Sequence, residues 1–353
     1  MILIAFLSGL LLSLALTPLV RAFAFKTGAM DRPDGGRKRH ERATPLYGGL
    51  AVFLAFAASA LWLRSDLLGG FLHAKHLAGI LLGAATLVLG GLLDDRFDLK
   101  PRHQLFFTAT AALIIIASGI GADVITNPLG GVLRLDHWQL MLFTRHGVPY
   151  RLILPADLFT FAWLMTMMYA TKFLDGVDGL VSRLGVIGMT VLALYGLTPE
   201  AGQPELSRLA MMAAGAFGGF LFYNARPASI FLGEGGATLT GFLLGVIAIM
   251  AGGKIGTTLM VMAVPLMDLV WTVIRRLLDG SSPMRGDDGH LHFRLQQLGL
   301  TPGVTAALFW LFAAAFGGAG LFLEGNAKLL ALAILAILFM TGAIWLRLRN
   351  RRQ

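Results

Sequence analysis

The residues able to do polar chemistry gather mainly in five short stretches of an otherwise apolar chain. The central one, Lys172-Phe-Leu-Asp-Gly-Val-Asp-Gly-Leu180, sets Asp175 and Asp178 at the end of an apolar run from Leu158 to Tyr169. A charge at bilayer depth costs about 2.5–3.5 kcal/mol on insertion scales, so acids beside a span have either reached water or serve a function. On a helix, residues three apart share a face, so both carboxylates can meet one ligand. Gly176 and Gly179 leave backbone open beside them, as a site approaching a phosphate or nucleotide needs. A plain Asp-Gly turn with solvated acids is the alternative. The matching chemistry of the four other stretches counts against it.

The stretch Asp94-Asp-Arg-Phe-Asp98 offers hard oxygen ligands, and magnesium typically takes one or two carboxylates plus substrate phosphate. Asp94 and Asp95 repel each other unless a cation or proton compensates. Arg37, Lys38 and His40 can hold a diphosphate or an anionic lipid headgroup, although topology alone also calls for positive charge there. In Asn224-Ala-Arg-Pro-Ala-Ser-Ile-Phe-Leu-Gly-Glu-Gly-Gly236, Glu234 can ligate a metal or simply favour a helix start, and Phe231 can stack on a base. His290, His292 and Arg294 form an alternating row. Zinc lacks a clear third ligand nearby, so hydrogen bonds from the histidines to phosphate or sugar oxygens fit better.

The elements that carry these loops follow from composition. The chain has 353 residues, 56% hydrophobic and 14% charged, with mean hydropathy +0.72, the profile of a polytopic membrane protein. With no cysteine, disulfides and thiolate chemistry are both excluded. Hydrophobic runs predict eleven spans, near 2–24, 46–64, 77–93, 104–120, 156–172, 180–197, 207–223, 237–252, 256–277, 304–322 and 328–346. Met1-Ile-Leu-Ile has no basic leader region, so the first run is expected to remain a span. The ninth is the least regular, carrying Pro265 and Asp268. Odd-to-even loops and the C-terminal tail then share one face, which takes 21 of the 29 Lys and Arg residues. That bias predicts a cytoplasmic face there, with the N-terminus outside and the C-terminus inside. The net charge of +9 is thereby a matter of topology, and no nucleic acid is expected as partner. Within 121–155, alternation in Gln139–Thr144 and Val148–Ile153 predicts a short extracytoplasmic β-hairpin. The expectation is one all-α transmembrane domain over 1–353, of ten to eleven helices, whose five cytoplasmic loops form the active site.

Taken together, Asp31–Gly49, Asp94-Asp95, Phe173–Leu180, Asn224…Pro227…Phe231-Leu-Gly-Glu234 and His290-Leu-His292 resemble the bacterial polyprenyl-phosphate N-acetylhexosamine-1-phosphate transferases, of glycosyltransferase family 4. The resemblance implies transfer of a sugar 1-phosphate from a UDP-sugar to polyprenyl phosphate, with release of UMP, in the bacterial inner membrane. It further implies magnesium, with manganese as a substitute, held by Asp95, Asp178 and Glu234. Asp94, Asp95, Asp175 and Asp178 would be catalytic. Arg37, Lys38, His40, Lys172, Asn224, Phe231, His290, His292 and Arg294 would bind substrate, and a homodimer is allowed. The chain departs from the family pattern at Lys172, where Asn is usual, at Glu234 for Asp, at Gln104 for a basic residue, at Thr108 for Gln and at Phe293 for His. These changes bear on which sugar is used, with phospho-N-acetylmuramoyl-pentapeptide as the alternative substrate. A transporter or flippase, and an inactive scaffold of the same fold, are the rivals of another class. The CDP-alcohol phosphotransferase signature fails after Asp178, since no further Asp occurs before Asp268.

Overall fold

The computed structural model describes residues 1–32, 43–70, 72–127, 131–145, 148–252, 255–280 and 289–350. Each apolar run becomes a helix, because in a low-dielectric surrounding every backbone polar group must be satisfied within its own segment. In chain order they are α1 (Ile2–Thr27), α2 (Gly48–Trp62), the single turn α3 (Arg64–Leu67), α4 (Ala74–Phe97), α5 (Pro101–Ala117), α6 (Leu154–Leu174) and α7 (Leu180–Gly196). There follow α8 (Pro204–Asn224), α9 (Gly233–Met250), α10 (Ile255–Val261), α11 (Ala263–Leu278), the short α12 (Leu291–Gln297), α13 (Pro302–Phe322) and α14 (Gly325–Asn350).

Six of these, α1, α4, α8, α9, α13 and α14, are long and apolar enough to cross a membrane by themselves. The chain is a multi-pass membrane protein. The ninth predicted span, 256–277, departs from expectation. It is broken at Met262, and α10 and α11 meet at 80°. Pro265 supplies the reason: its ring meets the carbonyl four residues back, that of Val261, where α10 ends.

Helix α9 is the central column, with 89% of its most apolar window buried, whereas α14 at the edge has 6%. Small residues let neighbours approach α9 closely, as packing between apolar helices favours. A Cβ on Gly91 of α4 would lie 2.1 Å from the Gly235 nitrogen. On the other side Trp163 Nε1 of α6 donates to Gly245 O at 3.1 Å. The first contact sets the start of α9 against the end of α4, and the second ties the later part of α9 to the body of α6.

Strands are few. β1 (Met30–Asp31) pairs with β2 (Thr44–Pro45), and β3 (Val124–Thr126) with β4 (Val132–Arg134). The predicted hairpin forms as β5 (Gln139–Arg145) antiparallel to β6 (Val148–Ile153), with an irregularity between Met141 and Phe143.

Candidate active site

The five loops meet at one end of the bundle. Backbone bonds join the first to the fourth: Gly48 N–H donates to Phe231 O at 3.0 Å, Gly49 N–H to Leu232 O at 2.7 Å and Phe231 N–H to Pro45 O at 2.8 Å. Side chains join the fourth to the second and third. Glu234 N–H donates to Asp95 Oδ1 at 3.1 Å, and Ala228 N–H to Asp178 Oδ2 at 3.1 Å. Both are donors that an adjoining helix end or turn leaves unpaired, so each carboxylate anchors a backbone as well as bearing charge. The fifth loop closes on the third, where a Cβ on Gly176 would lie 2.4 Å from His292 Nε2. Only glycine fits beneath that imidazole.

A polar chain crosses the mouth so formed. The Glu234 carboxylate pairs with the Lys172 ammonium. Lys172 Nζ donates to Gln104 Oε1 at 2.7 Å, and Gln104 Nε2 donates to Asp94 Oδ1 at 2.8 Å. Asp94 Oδ1 also accepts from Leu99 N–H at 2.9 Å. Asp175 presents an exposed surface, yet protein walls it on the sides. Desolvation first, then the charges of Glu234 and Asp178, push its carboxyl up to about 7.

The histidine loop is held from below by a residue that sequence reasoning passed over. Asp268 Oδ2 lies 2.9 Å from His290 Nδ1, and Asp268 Oδ1 accepts from Leu291 N–H at 2.8 Å. Asp268 is 2% exposed. The signal for it was present, since an acid inside a span is as costly there as beside Tyr169. His290 and His292 stack with centroids 5.8 Å apart and planes 8° from parallel. His292 is fully buried, and neither ring nitrogen has a hydrogen-bond partner among the described residues.

Burial pushes the His292 imidazole down to about 4, with His290 lowering it further against the opposing pull of Asp268. His292 is therefore neutral at pH 7. Between pH 6.5 and 4 the unfolded chain binds a proton that the native ring refuses. This group's stabilisation is thus present above pH 6.5 and lost on acidification. In His292→Gln the thermal midpoint of the detergent-solubilised protein should fall less between pH 6.5 and 4 than in wild type. Equal slopes would contradict the assignment.

The structure places the remaining predicted residues unevenly. Asp94, Asp95, Asp175, Asp178, Lys172, Glu234, His290 and His292 all lie around the mouth, and Arg294 stands one turn along α12 from them. Asn224 faces away. It is buried, its Oδ1 accepting from Ser182 Oγ at 2.7 Å and its Nδ2 donating to Ile230 O at 3.0 Å, which makes it a brace under the fourth loop. Phe231 contributes its backbone to the seam with the first loop. Arg37, Lys38 and His40 lie outside the described residues.

The expected metal set fits in kind but not in arrangement. Its carboxylates are the hard ligands magnesium takes. However, Glu234 is engaged by Lys172, and among the described residues no three acids or histidines stand close enough to share an ion.

Comparison with known proteins completes this description. The sequence model of glycosyl transferase family 4 matches residues 77–252. A decaprenyl-phosphate N-acetylglucosaminephosphotransferase of Mycolicibacterium smegmatis is 30% identical over 330 residues, 85% of this chain and 77% of that protein. The chain belongs to glycosyl transferase family 4. A Bacillus subtilis protein described as "Probable undecaprenyl-phosphate N-acetylglucosaminyl 1-phosphate transferase" is 28% identical over 345 residues, covering 96% of this chain and 89% of the relative. The undecaprenyl-phosphate alpha-N-acetylglucosaminyl 1-phosphate transferase of Salmonella typhi is 29% identical over 317 residues, 87% of this chain and 79% of that one. The stretch matched to glycosyl transferase family 4 runs from α4 into the loop after α9. It contains all five mouth acids but neither the first loop nor the histidine loop.

Proposed function

We propose that the protein transfers N-acetylglucosamine 1-phosphate, or a closely related N-acetylhexosamine 1-phosphate, from its UDP-sugar to polyprenyl phosphate. The observation that carries this reading is the meeting of five acids, an ammonium and two imidazoles at one end of an apolar bundle. There a water-soluble nucleotide sugar and a lipid phosphate can reach the same point. The relatives' shared N-acetylglucosamine substrate supports the choice of sugar over phospho-N-acetylmuramoyl-pentapeptide.

In this reading an oxygen of the polyprenyl phosphate attacks the β-phosphorus of the UDP-sugar. The bond from that phosphorus to the bridging oxygen breaks, and UMP leaves with the electron pair. The attacking oxygen already carries charge near neutral pH, so the protein's part is positioning and charge stabilisation rather than creation of a nucleophile. Asp94 and Asp95 line the side where α4 ends, and we assign them to the lipid phosphate. Asp175 and Asp178 stand between α6 and α7, and we assign them to the nucleotide sugar. His290, oriented by Asp268, and the neutral His292 are assigned to phosphate or sugar oxygens, with Arg294 beside them. Magnesium or manganese, when bound, would be held by the mouth carboxylates left free of Lys172, Asp178 among them, and would supply charge neutralisation there. A second copy of the chain is allowed but not required, since every residue of the mouth comes from one chain. Acids gathered at one end, rather than at mid-bundle, weigh against a transporter.

Purified protein incubated with a panel of UDP-sugars, polyprenyl phosphate and magnesium should release UMP with UDP-N-acetylglucosamine or a near relative. Absence of UMP across the panel, from folded protein, would overturn the proposal.

We further propose that all eleven helical segments, counting α10 with α11 and leaving aside α3 and α12, are membrane spans. The mouth then faces the cytoplasm of a bacterial inner membrane and the β5–β6 hairpin lies outside, with the N-terminus outside and the C-terminus inside. The native chain has no cysteine, so single substitutions report cleanly. Glu200→Cys, between α7 and α8, should react with an impermeant maleimide added to intact cells, and Gln297→Cys should not. The reverse pattern would refute the orientation.

A further inference from the structure

The chain Glu234–Lys172–Gln104–Asp94 has a consequence for cations. Its four members come from α9, α6, α5 and α4, and Lys172 meets Gln104 across 68 residues of sequence. Glu234, Lys172 and Gln104 touch one another in turn.

We propose that Lys172 is a resident cation of the site. Its ammonium holds the position beside Glu234 that a divalent ion would otherwise take, so that Glu234 is not a metal ligand in the substrate-free protein.

Three observations carry this. The first is enclosure: the Lys172 and Glu234 side chains are only 15% and 18% exposed. An ion pair so placed is little screened, and a second cation brought to the same carboxylate meets the ammonium at close range. The second is the amide between the charges. Gln104 offers its oxygen to the ammonium and its nitrogen to the Asp94 carboxylate, so a single orientation satisfies both neighbours. A basic residue at 104 would instead set two positive charges together. The third is that the ammonium lies 5.5 Å from the centre of the Tyr169 ring, a contact suited to a cation. Ring, carboxylate and amide together make a built seat for one positive charge. The remaining acids, Asp175 and Asp178 above all, stay available to a cation that arrives with substrate phosphate.

This inference goes beyond the proposed transfer and does not depend on it, because its test uses no substrate. Manganese binding to the full-length, detergent-purified protein is followed by loss of the free-ion electron paramagnetic resonance signal. Wild type should show no saturable site that depends on Glu234, so that Glu234→Gln binds manganese as wild type does. Lys172→Asn should bind at least about tenfold more tightly than wild type, the direction expected when a like charge beside the ion is removed. That gain should vanish in Lys172→Asn/Glu234→Gln. A saturable wild-type site abolished by Glu234→Gln would overturn the proposal, as would folded Lys172→Asn without the gain. If Lys172→Asn does not fold, the wild-type and Glu234→Gln pair decides alone. Failure here with UMP release intact would remove the resident cation and leave the transfer reading standing.

Discussion

Asp175→Asn is expected to lower turnover by about 10²–10³-fold, the usual loss when one charged group of a preorganised site is removed. Asp178→Asn should do the same, with little change in the thermal midpoint of either protein. The amide keeps the volume and removes the charge, so a mere helix-end turn would tolerate it. The pH profile separates the two roles. Asp175 is raised to about 7, so its carboxylate is lost as pH falls below that value, and kcat/KM should decline with it. Asp178 is one of the charges that keep Asp175 protonated. The residual activity of Asp178→Asn should therefore have its inflection at lower pH than wild type. Near-native turnover in both variants would return the stretch to a structural turn.

Asp268→Asn is expected to cost about 10–100-fold in turnover, by analogy with the loss when the partner that orients a metal-bound histidine is changed. The Asp268 carboxylate accepts from Leu291 N–H and fixes His290 through Nδ1, so the other ring nitrogen keeps one direction and one protonation pattern. An asparagine can retain one of those contacts but not the charge. Since the effect passes through His290, Asp268→Asn added to His290→Ala should lower turnover little further. Fully multiplicative losses would mean that the two residues act separately. Asp268 is buried among polar partners, so the melting temperature of the variant must be measured alongside.

The helices were legible in the sequence because nearly every one is a single apolar run whose ends carry charge. The hairpin was legible because period-2 alternation has few other meanings. The break at Met262 was only half visible. Pro265 marked an irregular span, but the 80° turn also depends on how α10 and α11 pack. Asn224 illustrates a different limit. Its residue type suits a ligand contact, yet its amide is consumed by Ser182 and Ile230, partners that no local pattern names. The Lys172–Glu234–Gln104 seat was hidden for the same reason, whereas Asp268 was visible as an acid inside an apolar run and only its partner His290 was not. That seat joins segments far apart in the chain, and the close approach of α6 to α9 at Gly241 helps to bring them together.

In the proposed transfer, the bond between the bridging oxygen and the sugar-bearing β-phosphorus is the one that breaks. UDP-N-acetylglucosamine labelled with 32P in the β-phosphate tests it directly, with purified protein, polyprenyl phosphate and magnesium. Label is expected in the organic phase as a lipid diphosphate sugar, with unlabelled UMP in water in equal amount. Label remaining in water as UDP, with sugar alone on the lipid, would contradict it.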